Sequence, residues 1–139
     1  EETNQINLAN LQVQKNYFPE TNGLFIHVET EFKTNMSGNY HLVIFLLRKS
    51  VIGPQKMADG STNYSYNHHN ILSDNINGTW GTEIATGDIA SGSKFYTDFS
   101  YELVSPLVDS TYELSNLSLV TYICDRNTFE IIQVIKTDF

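Results

Sequence analysis

A single cysteine, Cys124, among 139 residues excludes an internal disulfide and any multi-cysteine zinc site. Its place inside an apolar run fits a small buried hydrophobe better than a reactive thiol. Basic residues are scarce as well: Lys15, Lys33, Arg48, Lys49, Lys56, Lys94, Arg126 and Lys136 are scattered, and the formal net charge is −8. Binding to a phosphate backbone needs a concentrated positive surface, so nucleic acid is not an expected partner, and an anionic membrane surface is a poor one. No apolar run approaches the roughly 20 residues that span a bilayer as a helix. The longest, "LVIFLL" from Leu42 to Leu47, is strand-sized, so this segment is not expected to insert directly into a membrane.

An initiator Met and a basic-then-apolar leader are missing from the start, "EETNQ", which has turn character. We read it as a cut near a domain boundary of a longer chain, and residues 1–139 as one domain, a length at which a chain buries about two-thirds of its unfolded surface. Helical periodicity over ten or more residues is also absent. What is present instead is alternation with period two. In "LFIHVETEF", Leu24, Ile26, Val28 and Phe32 point one way while His27, Glu29 and Glu31 point the other. "FYTDFSYEL" behaves likewise, with Phe95, Phe99, Tyr101 and Leu103 inward.

"YHLVIFLL" (40–47) and "LSLVTYIC" (117–124) are apolar on both faces and read as central strands. "TFEIIQVIK" follows the second after "DRN", which predicts a C-terminal hairpin. Near the start, Ile6 and Leu8 share one parity and Leu11 and Val13 the other, the mark of a bulge or of a strand that changes sheets. Short strands are expected at 51–52, ended by Gly53-Pro54, and around 79–84, while "GDIASG" (87–92) reads as a turn. The pattern predicts an all-β fold, an immunoglobulin-like β-sandwich of about seven to eight antiparallel strands, without the cysteine pair of antibody domains.

Signatures of catalysis are missing: no Gly-x-Ser-x-Gly, no phosphate-binding loop, no His-Glu-x-x-His and no EF-hand spacing. We expect no enzyme activity and no cofactor. Asn, Ser and Thr supply 39 residues, a bias common in extracytoplasmic β-proteins, and enough to produce the Asn-x-Ser/Thr triplets at Asn35, Asn63, Asn77 and Asn116 by chance.

The longest segment without clean alternation runs from Gly53 to Gly78 and reads as a long connection. It holds "NYSYNHHNILSDNING", with Trp80 just beyond. Adjacent His68 and His69 point to opposite faces of an extended chain, so they do not share one metal ion, and no metal is expected from them with Asp59, Asp74 or His41. Sugar sites combine exposed aromatic platforms with amide side chains, and Tyr64, Tyr66, Asn67, His68, His69, Asn70 and Trp80 supply those types. Against that stands a packing role, with Ile71, Leu72 and Trp80 as anchors in the core. Exposure of the rings separates the two, because a buried ring cannot stack on a sugar.

The stretch from Tyr64 to Gly81, with "GNYHLVIFLL", "VIGPQ" and "LSLVTYICDRNTFEIIQV", resembles the C-terminal domain of the outer-membrane protein twenty-eight family. These are cell-envelope lipoproteins of Gram-negative anaerobes. Its members usually carry Arg where this chain has Ser73, and often His-Asn-His where it has His68-His69-Asn70. The resemblance implies an extracytoplasmic, outer-membrane-associated β-sandwich, periplasmic or at the cell surface. It brings no catalytic residue, and it implies a receptor or adhesin role with a protein or glycan partner. A carbohydrate-binding module is the alternative, and the oligomeric state is left open.

Overall fold

The computed structural model describes residues 8–139. Eight strands follow in order: β1 (Ala9–Phe18), β2 (Gly23–Phe32), β3 (Met36–Lys56), β4 (Thr62–Asn75), β5 (Thr82–Ile89), β6 (Lys94–Glu102), β7 (Leu117–Asp125) and β8 (Glu130–Asp138). Two 3-10 turns, Ser110–Tyr112 and Leu114–Asn116, lie between β6 and β7. One sheet has the order β1-β2-β6 and the other β4-β3-β7-β8, with β5 also on β3, and every pairing is antiparallel. This is the A-B-E and C′-C-F-G order of an immunoglobulin-like sandwich, as the alternation predicts.

Alternation decides which side of each strand is buried. Leu24, Ile26, Val28 and Phe32 of β2 pack against Tyr40, Leu42, Ile44 and Leu46 of β3 and Leu117, Leu119 and Ile123 of β7, all nearly inaccessible. Each large side chain so buried contributes roughly 1.5–3 kcal/mol. Phe32 adds an edge-on contact with Phe95 and a tilted one with Tyr40. β1 stays in unbroken register with β2 from Ala9↔Phe32 to Phe18↔Gly23. The parity change expected near the start depends on Ile6, which lies outside the described residues.

The organising element is β3, 21 residues long. β7 covers one of its edges from Tyr40 to Arg48. Two strands share the other edge: β5 pairs with Met36 to Leu42, and β4 with Phe45 to Lys56. Between them the ladder has a gap, which the side-chain amide of Asn77 fills. Its Oδ1 accepts from Ile44 N–H at 3.0 Å and its Nδ2 donates to the Leu42 carbonyl at 2.7 Å, while Ile76 N–H donates to the Ile44 carbonyl at 2.8 Å. A side chain thus replaces a strand residue, and the buried edge keeps its partners.

Gly81 closes the same turn. Its φ is +73°, and a Cβ there would lie 2.2 Å from the Leu42 carbonyl oxygen, so glycine alone fits.

Several boundaries differ from the sequence reading. Gly53 to Gly78 is mostly strand rather than loop, because β3 continues through Gly53-Pro54 to Lys56 and β4 returns from Thr62 to Asn75. β4 carries an extra residue opposite Pro54, where the register steps from Gly53↔Tyr66 to Gln55↔Asn63, so the missing N–H falls at a bulge. Past Arg48 the two strands form a ribbon beyond the reach of β7, and with no face in the core nothing selects an apolar alternation. The fifth strand lies at 82–89 rather than 79–84. It takes Gly87 to Ile89 out of the expected turn, which tightens instead where Ser93 N–H meets the Ala90 carbonyl at 3.1 Å. The C-terminal hairpin forms as predicted, but its turn runs on to Phe129.

Asn77→Ala leaves Ile44 N–H and the Leu42 carbonyl unpaired and is expected to cost about 1–3 kcal/mol in urea unfolding. Gly81→Ala is expected to cost about 2 kcal/mol or more through the clash and its left-handed φ. A change within about 0.5 kcal/mol for either would detach the turn from the β3 edge.

Candidate binding surface

The ribbon is braced at its root before it leaves the sandwich. Arg48 Nε donates to Ser73 Oγ at 2.7 Å and its Nη1 to Thr111 Oγ1 at 2.9 Å, with Asp109 at 3.5 Å and the Tyr112 ring beneath the guanidinium. The hydroxyl and amide of Thr111 and, more weakly, Arg48 hold the Asp109 carboxyl below its ordinary range. Asn116 Nδ2 donates to the Ser50 carbonyl at 2.9 Å. At the tip, Ser61 donates to Asp59 through its amide at 2.9 Å and its hydroxyl at 2.6 Å.

Register decides which face each candidate residue takes. Tyr66 pairs with Gly53 and His68 with Val51, positions that continue the outward set Val43, Phe45 and Leu47. The Tyr66 and His68 rings meet edge-on at 5.0 Å, and His68 Nε2 donates to the Pro54 carbonyl at 3.1 Å. Asn67 and His69 take the opposite face, where Asn67 Oδ1 accepts from Ser50 Oγ at 2.5 Å. The bulge opposite Pro54 breaks the alternation between Tyr64 and Tyr66, and Tyr64 is 74% exposed. Asn70 has a φ of +53°, and its Oδ1 accepts from Lys136 Nζ at 3.5 Å.

Trp80 is elsewhere. Its turn sits against Leu42 and Val43, ten residues of extended strand from Gly53, or roughly 33 Å. The candidate residues therefore occupy two places, and no small ligand touches both. The expectation that Trp80 lies in the core is also corrected, since 57% of it is exposed. Its backbone rather than its ring faces the sheet, with the carbonyl accepting from His41 Nδ1 at 3.0 Å. Leu72 is 56% exposed and Ile71 only half-buried outside the core cluster, so Ile76 anchors this segment in their place.

Two residues missed in the sequence stand beside Trp80. The Arg126 guanidinium lies 3.7 Å from the centre of the indole ring and 5.4 Å from that of Phe129. Phe129 has a φ of +62°, its N–H bonds the Asp125 carbonyl at 2.6 Å, and 64% of it is exposed. Asp125 and Asn127 signalled this turn. Reading Phe129 as part of the last strand hid its role.

Nearby on β7, burial pushes the Cys124 thiol above its ordinary range against the weaker opposing pull of Arg126, which keeps it protonated at neutral pH. Shallow depressions lie elsewhere: one is lined by Thr21, Gly23, Phe25 and Tyr101, another by Asn35, Met36, Asp88 and Ile89. Neither lining includes a histidine.

The model of the outer membrane protein Omp28 family matches residues 2–139. This chain belongs to the Omp28 family. Among solved structures it is similar to the crystal structure of a domain of the outer membrane lipoprotein Omp28 from Porphyromonas gingivalis. The two are 18% identical, with a TM-score of 0.62 over 96% of this chain and 89% of that one. That likeness is one of fold. None of the curated proteins compared matches the chain. Family membership puts this Omp28 sandwich outside the cytoplasm, at the outer membrane. Asn77 and Gly81, part of the stretch that resembles the family, serve the β3 edge.

With its ring outside the core, Trp80→Ala is expected to cost less than about 1 kcal/mol in urea unfolding, against about 2–5 kcal/mol for Ile44→Ala. Equal costs would show that the indole packs as a core residue.

Proposed function

We propose that this Omp28 chain is a non-catalytic interaction domain of a longer outer-membrane lipoprotein, acting as a surface receptor or adhesin through its projecting β3–β4 ribbon. The observation that carries this reading is a rigidly rooted arm whose aromatic and amide side chains are turned to solvent. Exposed aromatic side chains with nearby amides are the material of recognition surfaces. At the root of the arm, Leu72 of the outer sheet face is more than half exposed and extends the available contact.

A non-catalytic role is supported by chemistry. His68 and His69 face opposite ways, and the Cys124 thiol is held protonated. Carbohydrate binding is the second reading, favoured by the exposure of Tyr64, Tyr66 and Trp80. The separation of Trp80 from the tyrosines makes it two independent sites rather than one.

The test measures binding of the isolated chain to a glycan array and to immobilised cell-surface proteins, with the Tyr64→Ala/Tyr66→Ala double variant beside it. The interaction reading predicts that the double variant loses about tenfold or more in affinity while its thermal unfolding is unchanged. Full binding by that variant would overturn the ribbon as the contact site.

A further inference from the structure

Arg126 is the cation of this chain whose surroundings ask for a ligand. Among the described residues its guanidinium has no carboxylate partner, and Nη1 is shielded from water without a hydrogen bond. Shielding an amino group of a cation without an acceptor is costly. The chain carries twice as many acidic as basic residues, 16 against 8, so internal partners for an arginine are plentiful. None is placed here.

Two exposed rings flank it, Trp80 from the β4–β5 turn and Phe129 from the β7–β8 turn, with centroids 6.5 Å apart. Both turns are built to hold those rings out. The first closes on Gly81, which admits no Cβ, and the second holds Phe129 in a left-handed conformation that non-glycine residues adopt at a cost.

We propose that Trp80, Arg126 and Phe129 form a binding site for a carboxylate-bearing sugar. The carboxylate would enter in the guanidinium plane and supply the acceptor that Nη1 lacks, with the forked geometry that suits arginine to carboxylates. The apolar face of the sugar ring would lie on the indole or phenyl ring, and both rings are exposed enough to part and admit it. Indole stacking orients the guanidinium beforehand, which lowers the entropy lost on binding. This site is distant from the ribbon and stands or falls independently of the proposed ribbon contact.

Trp80 is the only tryptophan, so the fluorescence of the intact chain reports this site directly. Sialyllactose and tetragalacturonate are titrated beside lactose and methyl-esterified tetragalacturonate, which lack the charge. The expected result is a saturable change in Trp80 emission with an acidic sugar, weaker by about tenfold or more for its neutral counterpart and weakened by added salt. Arg126→Gln abolishes the response, and Arg126→Lys, which keeps the charge but not the fork, recovers only part of it. The Arg126 backbone N–H bonds the Asn39 carbonyl at 2.7 Å and persists in both variants, so unchanged thermal unfolding is expected. A Phe129→Ala variant read the same way gives a second measure of the site should the arginine variants unfold. No saturable change up to about 10 mM sugar, equal responses to acidic and neutral sugars, or a response that survives Arg126→Gln would each overturn the proposal.

Discussion

The Asn77 side-chain amide completes the hydrogen-bonding edge of β3, and the rest of the sandwich depends on it. β3 serves β7 along one edge and two different strands along the other, so it needs a join where β5 stops and β4 begins. A buried backbone N–H left open there would cost much of a hydrogen bond's desolvation. One amide, which donates and accepts at once, closes the gap where a carboxylate, which only accepts, would satisfy only part of it. Its Nδ2 also meets Thr82 Oγ1 at 3.2 Å, which ties the start of β5 to the same join.

That join also sets the two surfaces apart. On one side of it, β4 runs with β3 out of the sandwich and carries Tyr66 and His68 on one face and Asn67 and His69 on the other. On the other side the chain must turn at once to enter β5, and Gly81 against Leu42 forces the ring of Trp80 outward toward Arg126. Two separate exposed aromatic regions are thus a consequence of how a single strand is shared.

The sandwich was legible in the sequence wherever a face is buried. β2 and β6 show their inward sets as simple alternation, and β3 and β7 show their central position by being apolar on both faces. The ribbon was not legible as strand, because both of its faces meet solvent and burial imposes no pattern on them. Trp80 misled for a related reason: a large apolar ring is usually inside, but here glycine packing and a backbone carbonyl decide the direction of the turn. Arg126 and Phe129 belong to a turn whose left-handed residue is not a glycine, and local sequence does not announce that. Tyr64, Tyr66, Asn67, His68, His69, Asn70 and Trp80 all lie within residues 64–80, yet a bulge, alternation and the long reach of β3 disperse them.

The most direct test of the shared strand is native-state hydrogen exchange at the Ile44 amide, followed by NMR. If the Asn77 side-chain Oδ1 caps that amide, its exchange is as slow as that of the central β3–β7 ladder and requires global unfolding. Exchange at the rate of a solvent-facing edge amide, while the ladder to β7 remains protected, would contradict the account.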